Sequence, residues 1–403
     1  MLAVLMLGVV LVAWAVVSRR AQRYSVTVPI AMAASGLILT SGSHPLVDVE
    51  VTGPVVRHLV ELTLAFVLFT DATDISMRWL KEQRGVPIRM LLIAFPLTVL
   101  LGFLAGVPLL PGAGWWVCAI IGAVLAATDS TPILPMLHDD RLPAGTRHTI
   151  TVVSGLDDGL AAPLVLLMLA GALATVDVQS VLIELLIALI AGVVVGVGGA
   201  KLITMARHLR WSTVEAERVG VLALAITAFS AAEVLHGNGF VAAFVAGIAT
   251  RATAPGMPRS SLQTVEDFST VLSAAVWFVF GSLIVPAFMD GLEWRVFVYA
   301  FLSLTLIRML PVALSLLGTH LPWRERWALG FWGPRGLDSM VLGIIALEQL
   351  SGLDADWVAD VVVVVISLSI LVHGLSARYF ARWWLHGPRT RRHPPREPAA
   401  DVS

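Results

Sequence analysis

Apolar stretches of similar length recur along the whole chain, parted by short polar segments. Thirteen can be drawn, at residues 2–18, 26–41, 57–75, 88–110, 115–137, 147–173, 180–204, 217–235, 238–251, 266–288, 294–317, 325–348 and 355–380. Most lie near the roughly 20 residues that a helix needs to cross a bilayer. The pattern predicts an all-α polytopic membrane protein of about thirteen transmembrane helices. The ninth span is the shortest, and is entered through a tight turn at His236-Gly237-Asn238.

Composition agrees. Of 403 residues 57% are hydrophobic and only 14% charged, with a mean hydropathy of +0.85. That leaves too little polar surface for a soluble protein of this length. Charge adds a direction. Taken from an outer N-terminus, 23 of the 27 arginines and lysines fall on alternate loops and the C-terminal tail. Arg57 and Arg295 flank the other loops, and Arg308 and Arg335 lie within spans. Such bias predicts a multi-pass protein of the cell (inner) membrane, with its N-terminus outside, its C-terminus cytoplasmic and an odd span number. Tryptophans such as Trp14, Trp115, Trp294 and Trp323 lie near span ends, where interface anchors belong.

Residues 1–386 read as one transmembrane domain. Residues 387–403, rich in Pro and Arg, read as a disordered inner tail beside anionic lipid. Met1 to Val17 has no basic segment ahead of its apolar run and reads as a retained first helix. Cys118 is the lone cysteine, so no intrachain disulfide is expected. Neither a phosphate loop, a redox motif nor a metal-ligand cluster stands out. No cofactor and no nucleic-acid partner are expected.

The fifth span breaks its own pattern. Val124-Leu-Ala-Ala-Thr-Asp-Ser-Thr-Pro-Ile-Leu-Pro-Met-Leu137 holds an acid, three hydroxyls and two prolines. Proline lacks an N–H and clashes with the carbonyl four residues back. Pro132 therefore frees the carbonyl of Thr128, and Pro135 that of Thr131. A freed carbonyl is costly in hydrocarbon unless it faces protein, water or an ion. Beside Asp129 it makes an all-oxygen environment suited to a hard cation. A second break, Gly330-Phe-Trp-Gly-Pro-Arg-Gly336, falls in span twelve, seven spans later and so antiparallel to span five. Paired breaks of opposite direction mark an inverted-repeat transporter with its substrate near the midplane. Arg335 is placed to neutralise the opposing helix ends.

Span six adds Ser154, Asp157 and Asp158, whose spacing puts hydroxyl and carboxylates on one helical side. Acids at membrane depth are functional by default, and these can take up a proton or a cation. Asp71 in span three is either a third acid or an interface residue. Glu61 and Glu233 read as packing acids ahead of vestibule residues, Arg308 as a structural counter-charge, and His373 as a packing histidine. Asp338 and Glu348 are placed toward water.

Together, Ala126-Ala-Thr-Asp-Ser130, Val153-Ser-Gly-Leu-Asp-Asp-Gly159 and Trp332-Gly-Pro-Arg-Gly336 resemble the monovalent cation/proton antiporter-1 family, the NhaP-like sodium/proton antiporters. The resemblance covers nearly the whole chain. It implies an NhaA-like fold of inverted repeats, with a dimerisation domain, a six-helix core where two unwound helices cross, and a homodimer. It also implies that Asp158 is the central ion- and proton-binding acid. Asp129, Ser154 and the Thr128 carbonyl would complete its shell, Asp71 would match the family's acid in span three, and Arg335 would be structural. Two positions depart from the family pattern. Asp157 stands where Asn is usual, and Val153 where the Glu that partners the broken-helix arginine is usual. Asp157, one turn further along, is expected to take over as partner of Arg335. Resemblance to the paired-aspartate antiporters of a sister family would instead imply two protons per cation and electrogenic exchange. With Asp157 paired, Asp158 alone cycles, and electroneutral exchange is the favoured expectation.

The expected function is secondary antiport of protons against a monovalent cation, Na⁺ first, with Li⁺ and K⁺ as alternatives. A cation channel is the runner-up, and paired breaks argue against its continuous pore. An intramembrane aspartyl protease, with Asp129 and Asp158 as a dyad, is the enzyme alternative. Its Tyr-Asp and Gly-X-Gly-Asp signatures are replaced here by Thr-Asp and Leu-Asp-Asp.

Overall fold

A computed structural model describes residues 2–41, 46, 53–75, 80, 85–137, 142, 144–173, 178–289 and 291–385. The tail from 387, and basic residues such as Arg78, Lys81, Arg84 and Arg141, lie outside the described residues.

Every predicted span is a helix or a pair of half-helices. In chain order they are α1 (Leu2–Arg23), α2 (Val28–Thr40), α3 (Pro54–Asp74), α4 (Gly85–Leu109), α5 (Trp115–Val124) and α6 (Leu134–Leu137). Then come α7 (Ala144–Ala172), α8 (Val178–His208), α9 (Val214–Val234), α10 (Gly239–Thr253) and α11 (Arg259–Met289). The chain continues through α12 (Trp294–Leu304), α13 (Leu306–Ser315), α14 (Trp323–Phe331), α15 (Leu337–Gln349) and α16 (Leu353–Leu385). Among the described residues, seven helices are long and apolar enough by themselves to cross a bilayer.

Local chemistry sets the boundaries. At the tight turn before α10, His236 takes a left-handed φ of 58°, and Asn238 accepts the Val241 amide at 3.0 Å. Both are roles that turns and N-caps assign to these residue types. Glu233 accepts the Gly239 amide at 3.0 Å, which makes it a packing acid. Two features escape the hydropathy pattern. A π-helical segment, Met90–Ala94, interrupts α4 just before Pro96, where the missing donor and the ring loosen the ladder. Span eleven is also divided, at Thr305 (φ −119°, ψ −94°). Downstream, Pro311 cannot bond the Ile307 carbonyl.

Two packing groups emerge. Helices α2, α3, α8, α9, α10 and α11 pack on one another, as do α4, α5, α7, α12, α13 and α16. Bridges run from α3 and α10 to α7, and from α3 and α11 to α15. Small residues let backbones approach within the first group, as they do where lipid gives no hydrophobic drive. A Cβ on Gly281 of α11 would lie 2.2 Å from the Ala33 carbonyl oxygen of α2, and one on Gly36 would lie 2.0 Å from that of Phe278. On α8, Gly192 and Gly196 meet the Ala242 and Ala246 carbonyls of α10 in the same way, each at 2.6 Å.

Gly281→Val should therefore force α2 and α11 apart and destabilise the fold by about 1–3 kcal/mol. Gly8→Val is the control, because a Cβ there meets nothing within 4 Å. Thermal unfolding in detergent should fall for the first variant only; equal melting of the two would show that the close approach is not limiting.

Candidate functional site

The two breaks meet at the middle of the fold. Helix α5 stops at Val124, and residues 127–129 are extended before a 3₁₀ turn, Thr131–Ile133, leads into α6. Helix α14 stops at Phe331, and the chain runs through Gly333-Pro334-Arg335-Gly336 before α15. The extended segments cross with a backbone hydrogen bond, Asp129 N–H to Pro334 O, of 2.9 Å. Gly336 permits the crossing, since a Cβ there would lie 2.1 Å from Asp129 Oδ2.

Helix ends left in an apolar interior carry partial charges and unpaired groups. Here charged side chains satisfy them. Asp129 Oδ1 accepts the Thr131 amide at 2.7 Å, and Oδ2 accepts the Leu337 amide of α15 at 2.9 Å. Arg335 Nη1 donates to the Ala126 and Ala127 carbonyls beyond the C-terminus of α5, both at 3.1 Å. The Arg335 amide donates to Ser369 Oγ at 2.7 Å. His373 closes α14, with Nε2 3.0 Å from the Phe331 carbonyl. Its Nδ1 lies 3.0 Å from the Ser369 carbonyl and 3.3 Å from Ser369 Oγ. His373 is a packing histidine, as expected. Ser369 gave no signal in the sequence, being one of two serines, with Ser367, in an apolar run.

The partner of Asp157 is a correction. Arg335 makes no hydrogen bond to it. Asp157 Oδ2 instead receives Arg308 Nη2 at 3.0 Å and Thr128 Oγ1 at 3.2 Å. Arg335 is turned to the α5 carbonyls, while the division at Thr305 puts Arg308 in the first turn of α13. The arginine expected as a counter-charge is one, and Val153 packs among apolar neighbours.

The freed Thr128 carbonyl accepts the Ser154 hydroxyl. One turn along α7 sits Asp158, 2% exposed, with neither oxygen receiving a hydrogen bond. The neighbouring carboxylates that act on it are, in order, Asp338, Asp71, Asp129 and Asp157. Asp338 is a second correction. It is 2% exposed rather than toward water, because α15 is buried from Leu337 to Ala346. The sequence signal was an acid two residues past a Gly-flanked break, on a half-helix with no other charge before Glu348. Glu348 itself is half-buried, with Oε2 3.6 Å from Arg57 Nε, and Glu61 lies 2.9 Å from the same nitrogen.

A cavity of about 240 Å³ reaches the crossing, with Thr70, Asp71, Asp129, Glu266, Trp277 and Asp338 among its walls. Asp71 packs on α7, where a Cβ on Gly155 would lie 3.2 Å from its own. The Thr70 hydroxyl is tied to the Phe66 carbonyl at 2.7 Å. Of the two alternatives for Asp71, the geometry favours an acid facing the site. A second pocket, about 10 Å³ and so room for about one water, is lined by Thr128, Asp129, Ser154 and Arg308.

The sodium/hydrogen exchanger (transmembrane) family profile matches residues 6–383. A K(+)/H(+) antiporter NhaP2 of Shewanella sp. (strain ANA-3) is 26% identical over 275 residues, 66% of this chain and 47% of that protein. A K(+)/H(+) antiporter NhaP of Alkalimonas amylolytica is 26% identical over 393 residues, 95% of this chain and 67% of that protein. The chain thus spans about half the length of the first of these curated relatives. In three dimensions it is similar to the sodium proton antiporter MjNhaP1 of Methanocaldococcus jannaschii, with a TM-score of 0.78 at 20% identity, over 96% of this chain and 98% of that one. The fold is the NhaA-like fold of NhaP-type antiporters. These proteins are transporters rather than enzymes. The protease alternative also fails on geometry, because both Asp129 oxygens already hold amides.

Removing one member of a buried ion pair leaves an uncompensated charge, at a cost of about 3–5 kcal/mol. Arg308→Gln should be strongly destabilised, and Asp157→Asn/Arg308→Gln should recover most of the loss. Asp157→Asn/Arg335→Gln should show no such recovery. A double-mutant cycle on thermal stability checks this, and coupling to Arg335 instead would restore the partner read from the sequence.

Proposed function

Because the chain belongs to the sodium/hydrogen exchanger family, we propose that it exchanges protons for a monovalent cation across the membrane it spans, by alternating access to the crossing. The observation that carries this reading is Asp158, a buried acid that receives no hydrogen bond, one turn along α7 from the Ser154 hydroxyl that meets the freed Thr128 carbonyl. Such a group accepts either a proton or a metal cation, but not both.

In this scheme Asp158 is the exchanging acid. The Thr128 carbonyl and the Ser154 hydroxyl supply neutral oxygens, Asp129 adds charge while holding both helix ends, and Asp71 faces the ion from the cavity wall. Asp157 stays paired with Arg308 and does not cycle, which makes exchange one for one and electroneutral. Arg335 is structural. Na⁺ is the proposed cation; Li⁺ and K⁺ suit the same oxygens, and the relatives' names include both K(+)/H(+) and Na(+)/H(+) antiporters. No resident cofactor enters the scheme.

The group containing α8 to α11 is the proposed dimerisation part of a homodimer. The group containing α4, α5, α7, α12, α13 and α16 is the proposed moving core. The basic loops support an N-terminus outside a cell membrane and a C-terminus in the cytoplasm.

Purified protein in proteoliposomes should show alkali-cation-driven movement of a trapped pH dye, and folded Asp158→Asn should show none. Half-saturation by the cation should worsen as pH falls, since a protonated acid offers no charge. Exchange by Asp158→Asn, or half-saturation that ignores pH, would remove the site. A rate that follows an imposed potassium–valinomycin potential would remove the one-for-one count.

Orientation has its own test, at two positions outside the described residues. With Cys118 replaced, a cysteine at Ser43 should react with an impermeant thiol reagent added outside, and one at Thr390 should not. The reverse pattern would invert the topology.

A further inference from the structure

Asp338 is a buried acid that the scheme above does not use. Its simplest duty would be to answer the positive N-terminus of α15, as first-turn acids do. Asp129 already holds the Leu337 amide there, and of the amides Asp338 engages only that of its own residue. Asp338 Oδ1 receives no hydrogen bond, and neither does either oxygen of Asp158. Of the carboxylates around Asp158, Asp338 acts on it most strongly, and the two side chains are within hydrogen-bonding reach.

Facing carboxylates repel unless something positive lies between them. The two buried arginines nearby are committed elsewhere, Arg308 to Asp157 and Arg335 to the α5 carbonyls. Neither arginine donates a hydrogen bond to Asp158 or Asp338, so the positive charge that fits between these two is a proton or a cation from outside the protein. A route exists. The 240 Å³ cavity is walled by Asp338, Asp71 and Asp129, and Asp158 is not among its lining residues. A cation in the cavity would meet Asp338 at the wall before the buried Asp158.

We propose that Asp338 is a further charged ligand of the transported cation, beside Asp158, so that α7 and α15 each contribute a carboxylate to one ion. This rests on the exchange reading and adds a specificity determinant to its site. Two carboxylates raise the field at the ion and favour a smaller cation, Na⁺ or Li⁺, over K⁺.

The test uses the full-length protein in two assays. Binding of ²²Na⁺ to purified protein is read by scintillation proximity, and exchange driven by Na⁺, Li⁺ or K⁺ is read in proteoliposomes. Asp338→Asn should raise half-saturating Na⁺ at least about tenfold, the loss expected for one charged contact. The K⁺ value should change less, and the maximal rate at saturating Na⁺ should be largely kept. Asp338→Ser should lose affinity to the same degree and stands in where the amide variant does not fold. Asp338→Glu should regain most of it by restoring the charge. A helix-end role predicts something else, since Asn and Ser also serve at helix starts: lower melting temperatures with unchanged Na⁺ binding. Half-saturation within about twofold of wild type for the folded neutral variants would overturn the proposal at this precision. Wild-type vesicles that exchange no alkali cation would overturn the antiport reading, while the binding assay, which needs no transport, still decides Asp338.

Discussion

Two pieces of backbone cross in the interior of this protein without the hydrogen bonds of a helix. Everything else at the site follows from satisfying the four helix ends this creates. Asp129 gathers the amides of Thr131 and Leu337, and Arg335 gathers the carbonyls of Ala126 and Ala127. Each charge sits where the helix dipole wants it. The crossing is thereby held by opposite charges as well as by the Asp129–Pro334 backbone bond. Gly336 has no substitute in this geometry, since a side chain would enter the Asp129 carboxylate. A rigid crossing fixes where the Thr128 carbonyl points, and Ser154 is held against it.

The buried charges divide into two classes. Arg308 with Asp157, and Arg335 with the α5 carbonyls, are sets whose bonded partners belong to the protein. Buried pairs of this kind add little net stability but are costly to break, so they hold their state. Neither oxygen of Asp158 receives a hydrogen bond, nor does Oδ1 of Asp338, and among the described residues no arginine pairs with either acid. A site that alternates between a proton and a cation needs this division. Were Arg308 directed at Asp158, its fixed charge would hold the acid ionised and compete with the cation at every step.

The legible part of this structure was written in local chemistry. Thirteen spans follow from run length, and both breaks follow from prolines beside polar residues, because proline acts on its own helix wherever that helix packs. The Thr128 carbonyl and the Ser154–Asp158 face were likewise local. Pairing between distant elements was not. Arg308 and Asp157 are 151 residues apart, and helical spacing gives the face a side chain occupies without saying which helix meets it. Asp338 misled for a related reason. An acid at a helix start usually meets water, and only burial of all of α15 up to Ala346 shows otherwise. The division at Thr305 was hidden because an apolar run reads the same whether its helix is continuous or broken.

The two ends of the fold differ in a way that bears on access. The cavity lies between α2, α3 and α11 and the crossing, toward the end where Asp74 faces Arg251 and Arg259. At the other end of α3, Arg57 reaches Glu348 at the end of α15, joining the two sides of the cavity. The Arg57 side chain is 58% exposed and that of Glu348 12% exposed, 3.6 Å apart. Half-exposed pairs of this type contribute about 0–1 kcal/mol. A contact that weak can close one end of a pathway without trapping it there. The strong contacts, by contrast, sit at the crossing, which has to remain intact whichever end is open. In the proposed exchange, rigidity at the centre and weak closure at the rim would let the same ion site be presented to one side and then the other.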